Sequence, residues 1–200
     1  GKNDSLAGAF GVPKGVTSMV GGGGKTTLML ALARELAAAG QGVIVSTTTH
    51  IFPPESITTL TNTTADDVRF VLQSEPLICL GTPAEHGKLS APKLTVSEMA
   101  RLADYVLLEA DGAKRLPLKA PAEHEPVIPP ETTLVIAVLG LDGIGKPVSE
   151  AAFRPERYAA LIGKPESEPV TPLDAALVLT HPDGQRKNVT GTMRFCVLLN

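Results

Sequence analysis

Four consecutive glycines followed by Lys-Thr-Thr, the segment Gly21–Thr27, constrain this chain more than any other feature. Such a run loses a great deal of chain entropy on folding, and a bare turn needs only one or two glycines. A short apolar stretch, Val16–Val20, precedes it. Lys25–Ala39 follows, where Leu28, Leu32 and Leu36 recur every four residues and Gly40 supplies a C-terminal stop. Strand, glycine turn, helix is the order in which backbone N–H groups turn inward as an anion nest while the helix start adds its positive end. The common phosphate-loop spacing is G-x-x-x-x-G-K-[ST]. Here Gly24-Lys25-Thr26 supplies its end, and Met19 stands where the first glycine is expected. The reading assigns Gly21, Gly22, Gly23, Gly24, Lys25, Thr26 and Thr27 to phosphate. Lys25 reaches the β- and γ-phosphates, and the Thr26 hydroxyl is a ligand to Mg²⁺.

The rest of the chain supplies the setting for such a loop. Val43–Ser46, Leu77–Leu80, Tyr105–Leu108, Thr133–Leu139 and Arg194–Leu199 are apolar without alternation, which marks strands buried on both faces. Ala65–Gln73, Thr95–Leu102, Arg154–Ile162 and Leu173–Thr180 read as helices between them. The expected fold is therefore α/β: a three-layer, P-loop NTPase-like arrangement with a mostly parallel central sheet flanked by helices. Residues 1–200 are read as a single domain, with residues 1–15 an arm or short helix laid over the sheet. Two Pro-rich stretches, 52–64 and 116–130, read as functional loops. The chain lacks an initial Met and stops at Asn200 after an apolar run, so the natural protein is expected to continue.

A phosphate loop needs an acidic partner at the end of another strand. Tyr105–Leu108 runs into Glu109, Ala110 and Asp111, and the two carboxylates lie two apart, on one face of extended chain. Either serves the metal in this reading. Gly112 follows, where many P-loop GTPases keep a glycine for the γ-phosphate, and Lys114 is placed to touch phosphate or substrate. Thr47–His50 closes the second strand at the same edge, so His50 is a candidate to position water or substrate. His124-Glu125 pairs a proton shuttle with a carboxylate but fits no metal spacing. His86 and His181 lie among loop residues and are read as bland. Cys79 and Cys196 sit in apolar runs and are read as buried strand thiols.

Composition narrows the partners. A net charge of −3 lacks the basic footprint of a general nucleic-acid binder. No apolar run reaches the roughly 18 residues that span a bilayer, and the first residues lack the apolar core of a signal peptide. The expected location is cytoplasmic.

Taken together, MVGGGGKTTLMLALARELAAAG, VIVSTTTHIFPP, YVLLEADGAKRLPLKAPAEHEPVIPPET, VLGLDGIGKP and FRPERYAALIG resemble the YqeC family over most of residues 16–200. The resemblance implies an accessory role for selenium-dependent molybdenum hydroxylases, in making or inserting their cofactor. A molybdenum hydroxylase, or its cofactor or selenium donor, is then the implied partner. Glu109 and Gly112 are also similar to the corresponding residues of metal-delivery GTPases that serve nickel enzymes. Asn200 resembles the start of their Asn-Lys-x-Asp guanine-reading element, which leaves ATP and GTP both open. Three activities fit: an Mg²⁺-dependent NTPase; a kinase or NTP-activating ligase whose acceptor is held by His50, Lys114, Lys119 or His124; and a non-enzymatic nucleotide-binding recruitment module.

Overall fold

The computed structural model describes residues 5–200. In chain order the first half contains α1 (Leu6–Phe10), β1 (Gly15–Gly21), α2 (Lys25–Ala38), β2 (Val43–Thr47), β3 (His50–Ile51), β4 (Thr58–Thr61), α3 (Ala65–Leu72), β5 (Leu77–Pro83), β6 (Leu89–Ser90), α4 (Val96–Leu102) and β7 (Tyr105–Glu109). The second half contains β8 (Leu118–Lys119), β9 (Thr132–Leu139), α5 (Val148–Ala151), β10 (Ala152–Phe153), α6 (Pro155–Ile162), α7 (Pro172–Thr180) and β11 (Arg194–Leu199).

One sheet runs β11-β9-β1-β7-β2-β5-β6-β3, with β4 beside β5. From β11 to β5 every pairing is parallel, as is β4 with β5; only the short β6 pairs antiparallel, with β5 and β3. Alternate residues feed opposite faces. Val43, Val45 and Leu107 pack with Leu28, Leu32 and Leu36 of α2. Ile44, Val106 and Leu108 pack with Val68 of α3 and Met99 of α4. Fully burying one such side chain stabilises by about 1.5–3 kcal/mol, which is why these runs must be covered on both sides. The expected α/β class with a mostly parallel sheet flanked by helices is what the chain adopts.

The register fixes the edge on which a site can form. Met19 on β1 and Thr47 on β2 both lie beside Glu109 on β7, and Gly21 lies beside Val138 on β9. All four strands therefore end together, and the chain leaves each of them at one crevice.

Several expectations change. The stretch 52–64 is not wholly loop, because Thr58–Thr61 extends the sheet as β4. The stretch 116–130 contains β8, which pairs in parallel with β10 as a separate two-stranded ladder. Leu118, Val148, Tyr158 and Val178 pack around that ladder with α5, α6 and α7. The helix expected from Arg154 begins at Pro155, and Arg154 itself is left-handed (φ 59°). Cys79 is buried, and burial pushes its thiol up to about 12. Cys196 is half-buried instead, because among the described residues β11 pairs only with β9 and exposes Val197 and Leu199. The expected N-terminal arm lies partly outside the described residues. Within them, α1 docks on α2 by donating the Leu6 and Ala7 amides to the Glu35 carboxylate (2.8 and 2.7 Å). No helix among the described residues is long and apolar enough to cross a membrane.

Candidate phosphate-binding cleft

The glycine run occupies the turn from β1 into α2. Gly21 and Gly24 both take positive φ (101° and 102°), which an L side chain rarely adopts. Gly22 has a different reason to lack a side chain: a Cβ there would run into the Pro117 carbonyl oxygen. Gly24 is the N-cap of the 14-residue α2, and no side chain caps it. Among the described residues nothing accepts from the amides of Lys25, Thr26 and Thr27, so the positive end of α2 is open.

Lys25 and Thr26 each meet one acid at or just beyond the end of β7. Lys25 is buried; its Nζ donates to the Gly21 carbonyl (2.7 Å) and lies 2.6 Å from Asp111 Oδ1. Asp111 Oδ2 accepts from the Gly21 amide (3.1 Å). Thr26 Oγ1 donates to Glu109 Oε1 (2.7 Å). Burial pushes the Glu109 carboxyl above its ordinary range; the Thr26 hydroxyl and Lys25 pull it down, and Asp111 adds to the upward push.

Behind Asp111 lies a second layer of buried charge. Lys119 Nζ donates to the Gly112 carbonyl and to Glu125 Oε2 (2.9 Å), and lies 3.5 Å from Asp111 Oδ2. Burial lowers its pKa, while Asp111 and Glu125 resist that fall. Burial also raises the Glu125 carboxyl, but the hydrogen bond and charge of Lys119, the Ala122 amide and Arg154 (2.9 Å) leave it below its ordinary value. Phe153 on β10 stacks under these cations, 4.3 Å from Arg154 and 5.3 Å from Lys119.

The expected site residues other than Gly21 gather in one cavity of ≈ 440 Å³, lined by Gly22, Gly23, Gly24, Lys25, Thr26, Thr27, His50, Glu109, Asp111, Gly112 and Lys114, together with Arg115 and Lys88. His50 and Lys114 are exposed at its wall, and the Lys114 ammonium lies 5.2 Å from the Phe153 ring. His124 is exposed and outside the cavity lining, whereas Glu125 beside it is buried in the charge layer. Four amides expected to face phosphate are already engaged, that of Gly21 by Asp111 as above. Gly22 donates to Val138 O (2.8 Å), Gly23 to Leu116 O (2.7 Å) and Gly112 to Glu125 Oε2 (3.4 Å). Residues 115–117 therefore lie across the glycine turn.

Sequence reasoning named Lys119 only as an acceptor-holding candidate and left Glu125 without a role. The sequence carries no signal for this layer, because Lys119, Glu123, His124 and Glu125 set among prolines read as a solvated loop.

The donor set suits a hydrated Mg²⁺ shared with phosphate oxygens. It offers one hydroxyl and one carboxylate in contact, and Mg²⁺ ordinarily completes such a pair with water and phosphate. Among the described residues no group of three His, Cys, Asp or Glu comes together to hold a metal unaided.

The sequence model of the YqeC protein family matches residues 17–156. A relative from Escherichia coli (strain K12), described as an uncharacterized protein YqeC, is 37% identical over 181 residues, which is 87% of this chain and 71% of that protein. No solved structure matches the chain.

Proposed function

The chain belongs to the YqeC family, and from the geometry of its cleft we propose that it is a P-loop protein that binds an Mg²⁺-nucleoside triphosphate and hydrolyses it slowly. The observation that carries this reading is the double pairing at the start of α2, Thr26 with Glu109 and Lys25 with Asp111, beside helix amides that have no partner. An ion pair alone does not require a ligand. An open helix N-terminus with a buried lysine and a hydroxyl beside it is the chemistry of phosphate recognition.

In this reading the chain supplies positioning and charge, with no covalent step of its own. Lys25 leaves the Gly21 carbonyl for the terminal phosphates. Asp111 keeps that ammonium aimed at the glycine turn, and Lys119 keeps Asp111 in place. Thr26 and Glu109 would hold Mg²⁺, which when bound neutralises charge developing on the phosphates. An accessory role toward selenium-dependent molybdenum hydroxylases rests on the family resemblance and is the context in which such an NTPase would act. Phosphate transfer to a small molecule is a second reading, favoured because the cavity continues past the glycine turn to His50, Phe52 and Lys88.

Calorimetric titration of ATP and GTP with Mg²⁺ tests the proposal. One or both should bind, and Lys25→Ala should abolish binding while the protein stays folded. Phosphate release from nucleotide alone supports hydrolysis; release only with an added acceptor supports transfer. Absence of binding at millimolar nucleotide defeats both.

A further inference from the structure

The cavity over the glycine turn is longer than a phosphate chain needs, and its far end has its own chemistry. The antiparallel pairing of β3 with β6 sets Ile51 beside Leu89, both buried and holding the ladder in the core. The next step outward brings Phe52 opposite Lys88. The Lys88 ammonium lies 5.1 Å from the Phe52 ring, and that ring is 55% exposed. His50 precedes Ile51, so the period of two puts His50 and Phe52 on the same face. All three side chains line the cavity that also holds Lys25 and Thr26. No carboxylate among the described residues pairs with Lys88.

A second cavity, of ≈ 200 Å³, meets the first at Gly23, Gly24 and Arg115 and ends at Asp142 and Asn200. A nucleotide whose phosphates sit on the turn can place its nucleoside at either end. The end with Asp142 and Asn200 offers a carboxylate and an amide, which hydrogen-bond to sugar and base, and the carboxylate repels an anion. The other end offers a histidine and a half-exposed aromatic ring with a lysine ammonium beside it. The acids that line the same cavity, Glu109 and Asp111, are already engaged by Thr26 and Lys25. An exposed ring beside a lysine favours a ligand with a flat face and negative charge.

We propose that His50, Phe52 and Lys88 form the site of a second ligand, an anionic small molecule with a planar ring, which stacks on Phe52 with its charge toward Lys88 and His50. It binds together with the nucleotide, beyond the terminal phosphate. This assignment rests on the nucleotide reading above and makes the far end of the same cavity a co-substrate subsite.

The test uses 1-naphthyl phosphate, a fluorescent planar anion, titrated into the protein already saturated with Mg²⁺-nucleotide. Neutral 1-naphthol and inorganic phosphate are titrated in parallel. Nucleotide affinity is measured first on the same preparation, so that its failure would be recognised as failure of the nucleotide reading. With nucleotide bound, 1-naphthyl phosphate should bind more tightly than either parallel compound. Phe52→Ala should weaken it roughly tenfold by loss of stacking, and Lys88→Gln roughly tenfold by loss of a charge-assisted contact. Both variants should keep nucleotide affinity within about twofold, because neither residue belongs to the glycine turn. Phe52 is exposed, so loss of fold is not expected, and circular dichroism checks it. Displacement of the probe by nucleotide, equal affinity in parent and both variants, or no binding at millimolar probe with nucleotide bound would each overturn the proposal.

Discussion

Glu109 is held where its charge works against its burial. Desolvation raises its carboxyl, and the hydrogen bond from Thr26 and the nearby Lys25 only partly counter that. A carboxyl raised on folding binds its proton more tightly in the folded chain than in the unfolded one. Its contribution to stability is present below the unfolded value of 4.5 and is lost as pH rises through the folded value. At neutral pH the ionised Glu109 therefore opposes folding of the free protein. Glu109→Gln should raise the melting temperature at neutral pH and flatten the decline from mildly acidic conditions. The same change should weaken Mg²⁺-nucleotide binding about 10–100-fold, as loss of a metal-site partner does. Melting curves across that pH range, with and without nucleotide, read both effects. A variant less stable than the parent throughout would show that the Thr26 bond, not desolvation, governs the site.

At the scale of elements, the segment joining β7 to β8 lies across the glycine turn. Leu116 O holds the Gly23 amide, and Pro117 closes over Gly22. Just before them, Lys114 and Arg115 both take left-handed φ (47° and 61°), a conformation that costs about 1–2 kcal/mol for each such residue. If the proposed nucleotide binds, its phosphate would compete for the Gly23 amide and lift this strained segment. Saturating Mg²⁺-nucleotide should speed amide hydrogen exchange at residues 113–117 and slow it at residues 22–28. Protection at both segments would mean that the strap stays closed over the ligand. The turn itself was legible in the sequence because a glycine run between an apolar stretch and a four-residue leucine repeat has few other uses. The strap was not. A two-residue strand such as Leu118–Lys119 has no run to betray it, and its pairing with Ala152–Phe153 joins segments far apart in sequence. Thr58–Thr61 was hidden differently, because neighbouring prolines made the whole stretch read as loop.

At the scale of the molecule, the buried charges couple the main sheet to the small ladder. Lys119 on β8 reaches Asp111 beyond β7, Glu125 in the returning loop answers it, and Arg154 beside β10 closes the chain of pairs. Charge alternation along a Pro-rich stretch reads from sequence as a solvated surface, since only the folded chain shows that Lys119 lies 1% exposed. Removing one member of such a set is costly because it strands the others. Lys119→Met keeps much of the side-chain volume but leaves Asp111 and Glu125 without it, and should cost about 3–5 kcal/mol in denaturant unfolding. Adding Glu125→Gln removes one stranded charge. Arg154, which then loses its partner, is still able to turn to water, its side chain being 22% exposed. The double variant should therefore recover a good part of the loss, even though it carries one more substitution. If the two losses simply add, Lys119 and Glu125 act independently and the layer behind Asp111 is not a unit. If the double variant recovers stability but binds Mg²⁺-nucleotide poorly, the layer serves the glycine turn by aiming Asp111 at Lys25. Folding and phosphate binding would then depend on the same buried lysine for different reasons.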